Sequence, residues 1–206
     1  MKKIWIVGIG PGHPDYVLPA AYRAVETSDI LIGGRRNLEV FRDYKGETYV
    51  ISKDLKEVVE YIKIHKKDKN IAVILSGDTG FYSMLTYLKK YFHQEDLEVI
   101  PGISSLQYLF SRMKETWQEV PLTSLHGRET NFIEKLRQFK KIGLLTDTLY
   151  TPEKIAKDLI HAGLEKAVMV VGENLSYEEE RVIKGSPKDI IEKAPYQMTV
   201  VVITYE

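Results

Sequence analysis

The 206-residue chain has no cysteine, no net charge and no long apolar run. The absence of cysteine excludes disulfides, thiolate nucleophiles and cysteine-ligated zinc, and it suits a reducing compartment, so we predict a cytoplasmic protein. Basic and acidic residues number 29 each, which argues against a general nucleic-acid-binding surface. No segment reaches the roughly 18 apolar residues that a membrane-spanning helix needs. We therefore expect neither a nucleic-acid nor a membrane partner.

Short apolar runs alternate with segments of helical periodicity, which is typical of βα units around a largely parallel sheet. The pattern predicts an N-terminal α/β domain over residues 1–113, a polar linker over 114–121 and a C-terminal α/β domain over 122–206. Strands near 182–183 and 200–203 lack helix-length connections, so we expect a mixed sheet in the second domain. We also predict helices over 38–41 and 81–91, and a helix that begins at Pro152 with Thr151 as its cap.

Three glycine-bearing segments each follow a strand-like apolar run. They are VGIGPG (residues 7–12), SGDTGFYS (76–83) and PGISS (101–105), after predicted strands at 3–7, 71–75 and 97–100. In an open parallel sheet, the carboxyl ends of the strands lie along one edge, and ligands bind beside that edge. The sequence therefore predicts a small-molecule site where these three loops converge.

The first loop fits a dinucleotide-binding fingerprint poorly. His13 stands where the G-x-G-x-x-G motif needs its third glycine. Gly33 and Gly34 occupy the place of the acidic residue that would hold a ribose. An oxidoreductase is therefore the weaker interpretation, and a tight turn without a ligand remains an alternative for this loop alone.

Asp78 lies between two glycines at a predicted strand end. A carboxylate there is costly to bury unless a cationic ligand or a set of ligand donors meets it. The alternative is that Asp78 caps a helix beginning near Phe81. Ser104 and Ser105, after Gly102, likewise offer hydroxyls either as a helix cap or as donors to a ligand.

Two basic segments also lie at predicted strand ends. Arg35-Arg36 follows Gly34, and His126-Gly127-Arg128 follows the strand near residue 125. Arginine binds carboxylates through two parallel hydrogen bonds, so both segments are candidates for an acidic substrate. The alternatives are a solvated basic turn for the first and a structural histidine in the second.

Together these segments resemble the tetrapyrrole methylase family, the S-adenosylmethionine-dependent methyltransferases of the cobalamin and sirohaem pathways. The resemblance spans the chain and also rests on Gly172-Glu173-Asn174-Leu175. The segments 32–36, 104–107, 117–118 and 124–128 are similar to the branch that methylates carbon 5 of a corrin precursor, in its stand-alone form. Thr79 departs from the proline that is common after Asp78 in this family.

The resemblance implies two α/β domains of the tetrapyrrole methylase fold, with S-adenosyl-L-methionine in a cleft between them, and a homodimer. The implied cofactor contacts are Ile9, Asp78, Phe81, Ser104, Ser105, Leu145, Leu175 and Met198. Gly10, Pro11 and Gly12 would face the tetrapyrrole, and we expect Arg35, Arg36, His126 and Arg128 to bind its carboxylate arms. No catalytic residue and no metal ligand is assigned. The alternatives are a methyltransferase of this fold for uroporphyrinogen or a diphthine precursor, and a non-enzymatic nucleotide-binding module.

Overall fold

A computed structural model describes residues 2–125 and 131–205. Their contacts divide the chain into two compact units, Met1–Ser104 and Ser105–Glu206. The predicted boundaries at residues 113 and 122 stay a prediction. Among the described residues, no helix combines the length and the apolar character needed to cross a membrane.

The first unit contains a five-stranded sheet in the order β3-β2-β4-β1-β5, with every neighbouring pair parallel. Strands alternate with helices along the chain, as the sequence predicts. The elements are β1 (Ile4–Gly8), α1 (Pro19–Glu26), β2 (Ile30–Gly33), α2 (Arg35–Glu39), β3 (Glu47–Val50), α3 (Leu55–His65), β4 (Ile71–Leu75), α4 (Leu85–Leu88) and β5 (Leu97–Ile100).

Helices cover both faces of this sheet, so its central strands are apolar throughout. In β4, Ile71 and Val73 pack in one cluster with Val58 of α3, whereas Ile74 packs in the other with Ala21 of α1. Because successive strand side chains point to opposite faces, one apolar run serves two cores. The rigid centre fixes the positions at which β1, β4 and β5 end.

The second unit contains a five-stranded mixed sheet in the order β6-β7-β10-β8-β9. Only β6 and β7 pair in parallel; the other pairs are antiparallel, so the predicted mixed sheet is confirmed. Its elements are α5 (Ser105–Met113), β6 (Leu122–Ser124), α6 (Phe132–Phe139), β7 (Lys141–Leu145), α7 (Pro152–His161), β8 (Val168–Glu173), β9 (Arg181–Gly185), α8 (Pro187–Glu192) and β10 (Thr199–Thr204).

One apolar core on the second sheet joins α6, α7 and α8. Leu136, Ile155 and Ile190 are among its fully buried members. The predicted start of α7 is confirmed, because Pro152 is its first residue and the Thr151 hydroxyl accepts a hydrogen bond from Lys154 N at 3.3 Å.

Two predicted helices differ from the structure in their bounds. The helix predicted over 81–91 is reduced to α4, because Tyr82 has a left-handed backbone (φ 50°) that a right-handed helix cannot contain. Ser83 Oγ then accepts a hydrogen bond from Leu85 N, so the helix begins only there. The helix predicted over 38–41 begins earlier, at Arg35, directly after Gly34.

Candidate functional site

The three glycine loops meet at the carboxyl edge of the first sheet. Strand β1 lies between β4 and β5, with Gly8 opposite Leu75 and Val7 opposite Ile100. The loops that follow these strands therefore begin at nearly the same level. The predicted convergence of the three segments is confirmed.

Backbone atoms of the three loops touch where they meet. A Cβ added to Gly102 would lie 2.2 Å from Gly77 O, and one added to Gly8 would lie 2.7 Å from Gly102 N. Only glycine fits at such separations. We call Gly8, Gly10, Gly77 and Gly102 the glycine junction.

A two-way backbone bridge fixes the first loop to the second. Gly10 N donates to Gly77 O at 3.2 Å, and Gly77 N donates to Gly10 O at 2.7 Å. Both glycines have left-handed φ angles, +77° for Gly10 and +72° for Gly77, which glycine adopts without steric cost. The junction is thus built from backbone groups.

Asp78 links the second loop to the third. Its Oδ1 accepts a hydrogen bond from Gly102 N at 3.0 Å, and its Oδ2 accepts one from Gly80 N at 2.8 Å. The alternative that Asp78 caps a helix near Phe81 is wrong, because α4 begins at Leu85. Each carboxylate oxygen has lone pairs beyond those two bonds, so Asp78 can hold the loops and still accept from a ligand.

Thr79 adds a second link between the same two loops. Its side chain is buried, and its hydroxyl donates to Ile100 O at 3.3 Å, at the end of β5. A proline at this position, common in the resembled family, has no hydroxyl to make this bond.

Three other predicted cofactor residues lie along one edge of the second sheet. Leu145 ends β7, Leu175 lies just beyond β8, and Met198 lies just before β10. The register pairs Leu145 with Val200 and Glu173 with Thr199, so these three positions are neighbours in the sheet. Leu175 is buried, whereas Met198 is 48% exposed. We call this end of the sheet the β8 edge.

An ion pair between buried Glu173 and half-exposed Arg181 lies at the β8 edge, and sequence reasoning missed it. Glu173 Oε2 accepts from Arg181 Nε at 2.7 Å and lies 2.5 Å from Nη2, while Oε1 accepts from Gln197 N at 2.8 Å. Neighbouring Tyr196 is fixed by donation to Ile190 O at 2.8 Å. Burial, with the charge of Glu153, raises the pKa of Tyr196. The sequence signal that could have indicated this ion pair is an acidic residue at the end of the apolar strand β8.

The predicted substrate residues are placed in part. Gly10 is part of the glycine junction, and it is buried together with Pro11 and Gly12, which follow it in the chain. Arg35 and Arg36 are exposed in the first turn of α2. Strand β2, which precedes α2, neighbours β4, so both arginines lie at the carboxyl edge. His126 and Arg128 lie outside the described residues.

The remaining predicted cofactor residues lie within the three glycine-bearing segments and differ in exposure. Ile9 is buried and its N donates to Leu75 O at 3.0 Å. Phe81 packs edge-to-face on Tyr82, with ring centroids 4.8 Å apart. Ser104 is buried and Ser105 begins α5. Within residues 2–125 and 131–205, no group of three or more histidine or acidic side chains could hold a metal ion.

Residues 3–191 match the family model for Tetrapyrrole (Corrin/Porphyrin) Methylases. The chain belongs to the tetrapyrrole methylase family. A curated relative, the cobalt-precorrin-7 C(5)-methyltransferase of Salmonella typhimurium, is 37% identical over 201 residues that cover 98% of each chain.

Solved structures confirm the predicted α/β tetrapyrrole methylase fold. A precorrin-6Y methylase from Archaeoglobus fulgidus superposes with a TM-score of 0.77 at 24% identity, covering 99% of this chain and 98% of that one. A uroporphyrin-III C-methyl transferase from Thermus thermophilus, complexed with S-adenyl homocysteine, gives 0.80 at 18% identity, covering 98% and 97%.

Proposed function

We propose that this tetrapyrrole methylase transfers a methyl group from S-adenosyl-L-methionine to carbon 5 of cobalt-precorrin-7 in cobalamin biosynthesis. The observation that carries the proposal is the 37% identity, over 98% of both chains, to the Salmonella typhimurium enzyme of that name. The conserved fold by itself does not fix the acceptor, because fold and substrate are separable. A neighbour of the same fold at 14% identity is a diphthine synthase.

The chemistry of the carboxyl edge supports the proposal that S-adenosyl-L-methionine binds there. We propose that Ile9, Asp78, Phe81, Ser104 and Ser105 contact it there. The glycine junction carries no side chains, so a ligand can approach backbone groups closely. The Asp78 carboxylate, whose geometry is set by Gly80 N and Gly102 N, suits an ammonium or hydroxyl donor.

The apolar residues at the β8 edge support a second set of proposed contacts with the cofactor. We propose that Leu145, Leu175 and Met198 contact the adenosyl group. A thioether such as that of Met198 packs favourably against aromatic rings, adenine included. A T. thermophilus neighbour of this fold was solved with S-adenyl homocysteine, the demethylated form of this cofactor.

The proposed reaction needs orientation more than acid–base chemistry. The cofactor would supply a methyl group activated on a sulfonium and would leave as a neutral thioether, while carbon 5 would lose one proton to solvent as it gains the methyl group. The protein then has to hold the acceptor carbon about 3–3.5 Å from that methyl and in line with the breaking bond. Loops fixed by the Gly10–Gly77 bridge and by Asp78 suit that task because hydrogen bonds within the protein hold their backbones in position.

We propose that the substrate's carboxylate arms bind Arg35 and Arg36, and that Gly10, Pro11 and Gly12 face its macrocycle. Guanidinium groups exposed at the carboxyl edge can each pair with a carboxylate through two hydrogen bonds. The proposed roles of His126 and Arg128 rest on the sequence alone. A homodimer in the cytoplasm stays a prediction, and light scattering of the purified protein would measure its mass in solution.

The test combines binding and turnover. Calorimetry should detect the binding of both S-adenosylmethionine and S-adenosylhomocysteine to the protein. Incubation with cobalt-precorrin-7 and methyl-labelled cofactor should give a product heavier than cobalt-precorrin-7 by one labelled methylene unit. Magnetic resonance of the product should place the label at carbon 5. Uroporphyrinogen III serves as the control acceptor. Methylation of uroporphyrinogen, or of another carbon of the corrin precursor, would contradict the proposed acceptor.

A further inference from the structure

Backbone strain is concentrated at the β8 edge. Asn174, Ser176 and Met198 all have left-handed φ angles, 48°, 71° and 44°, although none is a glycine. Asn adopts this conformation more readily than other residues, but at Ser176 and Met198 the side chain clashes with the backbone, so the conformation persists there because surrounding contacts enforce it. These residues lie in two turns, 174–176 after β8 and 197–198 before β10. A hydrogen bond from Asn174 N to Met198 O, 3.3 Å long, joins the two turns.

One buried carboxylate fixes the second of these turns. The Glu173 side chain is 4% exposed, and its Oε1 accepts from Gln197 N, directly before strained Met198. Nε and Nη2 of the Arg181 guanidinium both contact its Oε2. With Arg181 on Oε2 and Gln197 N on Oε1, both oxygens are held, and the contacts with the guanidinium are strengthened by charge. The position of the Gln197 peptide therefore depends on Arg181.

A second carboxylate fixes the first turn in the same way. Glu180 Oε2 accepts from Ser176 N at 2.7 Å, and Glu180 Oε1 lies 2.7 Å from Arg112 Nε of α5. Each strained turn thus has one backbone N–H held by a glutamate, and each glutamate is held by an arginine. Leu175 and Met198 are carried by these two turns.

We infer that Glu173 and Glu180 are positioning residues that set the affinity of this site for its adenosyl ligand. They act through the Gln197 and Ser176 peptides, which hold Met198 and Leu175 in place before the ligand arrives. Ordering a turn in advance removes a cost that binding would otherwise bear. The inference rests on the proposed function, because it takes the β8 edge to be part of the cofactor site.

The test compares two carboxylate-to-amide variants in the same unit. Glu173→Gln keeps the shape of the side chain and weakens its charged contact with Arg181. The matched control is Asp189→Asn, because Asp189 accepts from Ser186 N and Ser186 Oγ at the start of α8. Gly185, which precedes Ser186, pairs with Met169 at the other end of β8. Both variants are measured by urea unfolding and by calorimetry with S-adenosylhomocysteine.

We expect Glu173→Gln to raise the Kd for S-adenosylhomocysteine at least tenfold, and Arg181→Lys, which keeps the positive charge but loses the planar guanidinium, to raise it about threefold. Asp189→Asn should lower stability and leave that Kd unchanged. Equal Kd values for Glu173→Gln and the wild type, with stability lost, would overturn the inference. If Glu173→Gln does not fold, Glu180→Gln replaces it, because Glu180 is more exposed. A wild-type protein that binds no S-adenosylhomocysteine would instead refute the proposed function itself.

Discussion

The two units hold their candidate binding edges by opposite means. At the carboxyl edge of the first sheet, backbone touches backbone at the glycine junction, and Gly10 and Gly77 exchange two hydrogen bonds. At the β8 edge, strained non-glycine turns are held by the side chains of Glu173 and Glu180. A backbone junction fails when a side chain is added, whereas a side-chain support fails when one is removed. Substitutions of opposite kinds should therefore break the two edges.

The largest effect is expected from Gly102→Ala, which would place a Cβ 2.2 Å from Gly77 O. Neither backbone can yield without disturbing β4 or β5, so we expect a loss of about 3 kcal/mol in unfolding free energy. Urea unfolding measures it. Gly34→Ala is the control, because φ is −63° there and the nearest atom to the added Cβ is 4.0 Å away. If the unfolding free energy of Gly102→Ala were close to that of Gly34→Ala, the glycine junction would not be rigid.

Removing the guanidinium that holds Glu173 should destabilise the β8 edge. Arg181→Met leaves the buried Glu173 carboxylate without its guanidinium, and we expect a loss of about 2 kcal/mol, less than for a fully buried pair since Arg181 is half exposed. Lys154→Met breaks a solvent-exposed ion pair within α7 and should cost less than about 0.5 kcal/mol. Thermal and urea unfolding should rank the two variants; equal losses would mean that burial of Glu173 adds nothing.

The sequence predicted the carboxyl edge better than the β8 edge, and the comparison explains why. A glycine is needed wherever backbones touch, so the junction is visible as glycines at the ends of apolar runs. The bounds of β4 and β5 were also correct, because runs this short that are followed closely by glycine or proline favour a strand over a helix.

The side-chain contacts were not predictable in this way. Asp78 bonds to Gly102, 24 residues away, and Glu173 bonds to Arg181 in the next strand. Such partners are set by sheet order and register, which hydrophobic periodicity does not specify. The short α4 was missed for a local reason, since apolar spacing gives no sign of the left-handed Tyr82.

Thr79 tests whether the first edge also depends on a side chain. Thr79→Val keeps the shape but removes the hydroxyl that donates to Ile100 O, so we expect a loss of about 1 kcal/mol and an approximately threefold weaker affinity for S-adenosylhomocysteine. Thr79→Ser keeps the hydroxyl and loses a buried methyl group, which costs about as much stability. Only the valine variant should alter calorimetric affinity. Equal affinities would show that glycine and Asp78 contacts suffice.

The smallest stability effect, and one of opposite sign, is expected where strain is relieved. Met198→Gly suits a φ of 44° and should raise unfolding stability by about 0.5–1 kcal/mol, yet weaken S-adenosylhomocysteine binding about tenfold because the thioether is lost. Lys114→Gly relieves a similar φ of 59° outside both edges and should raise stability alone. Calorimetry with each variant separates the two cases. Unchanged affinity in Met198→Gly would contradict the proposed contact between the Met198 thioether and the ligand.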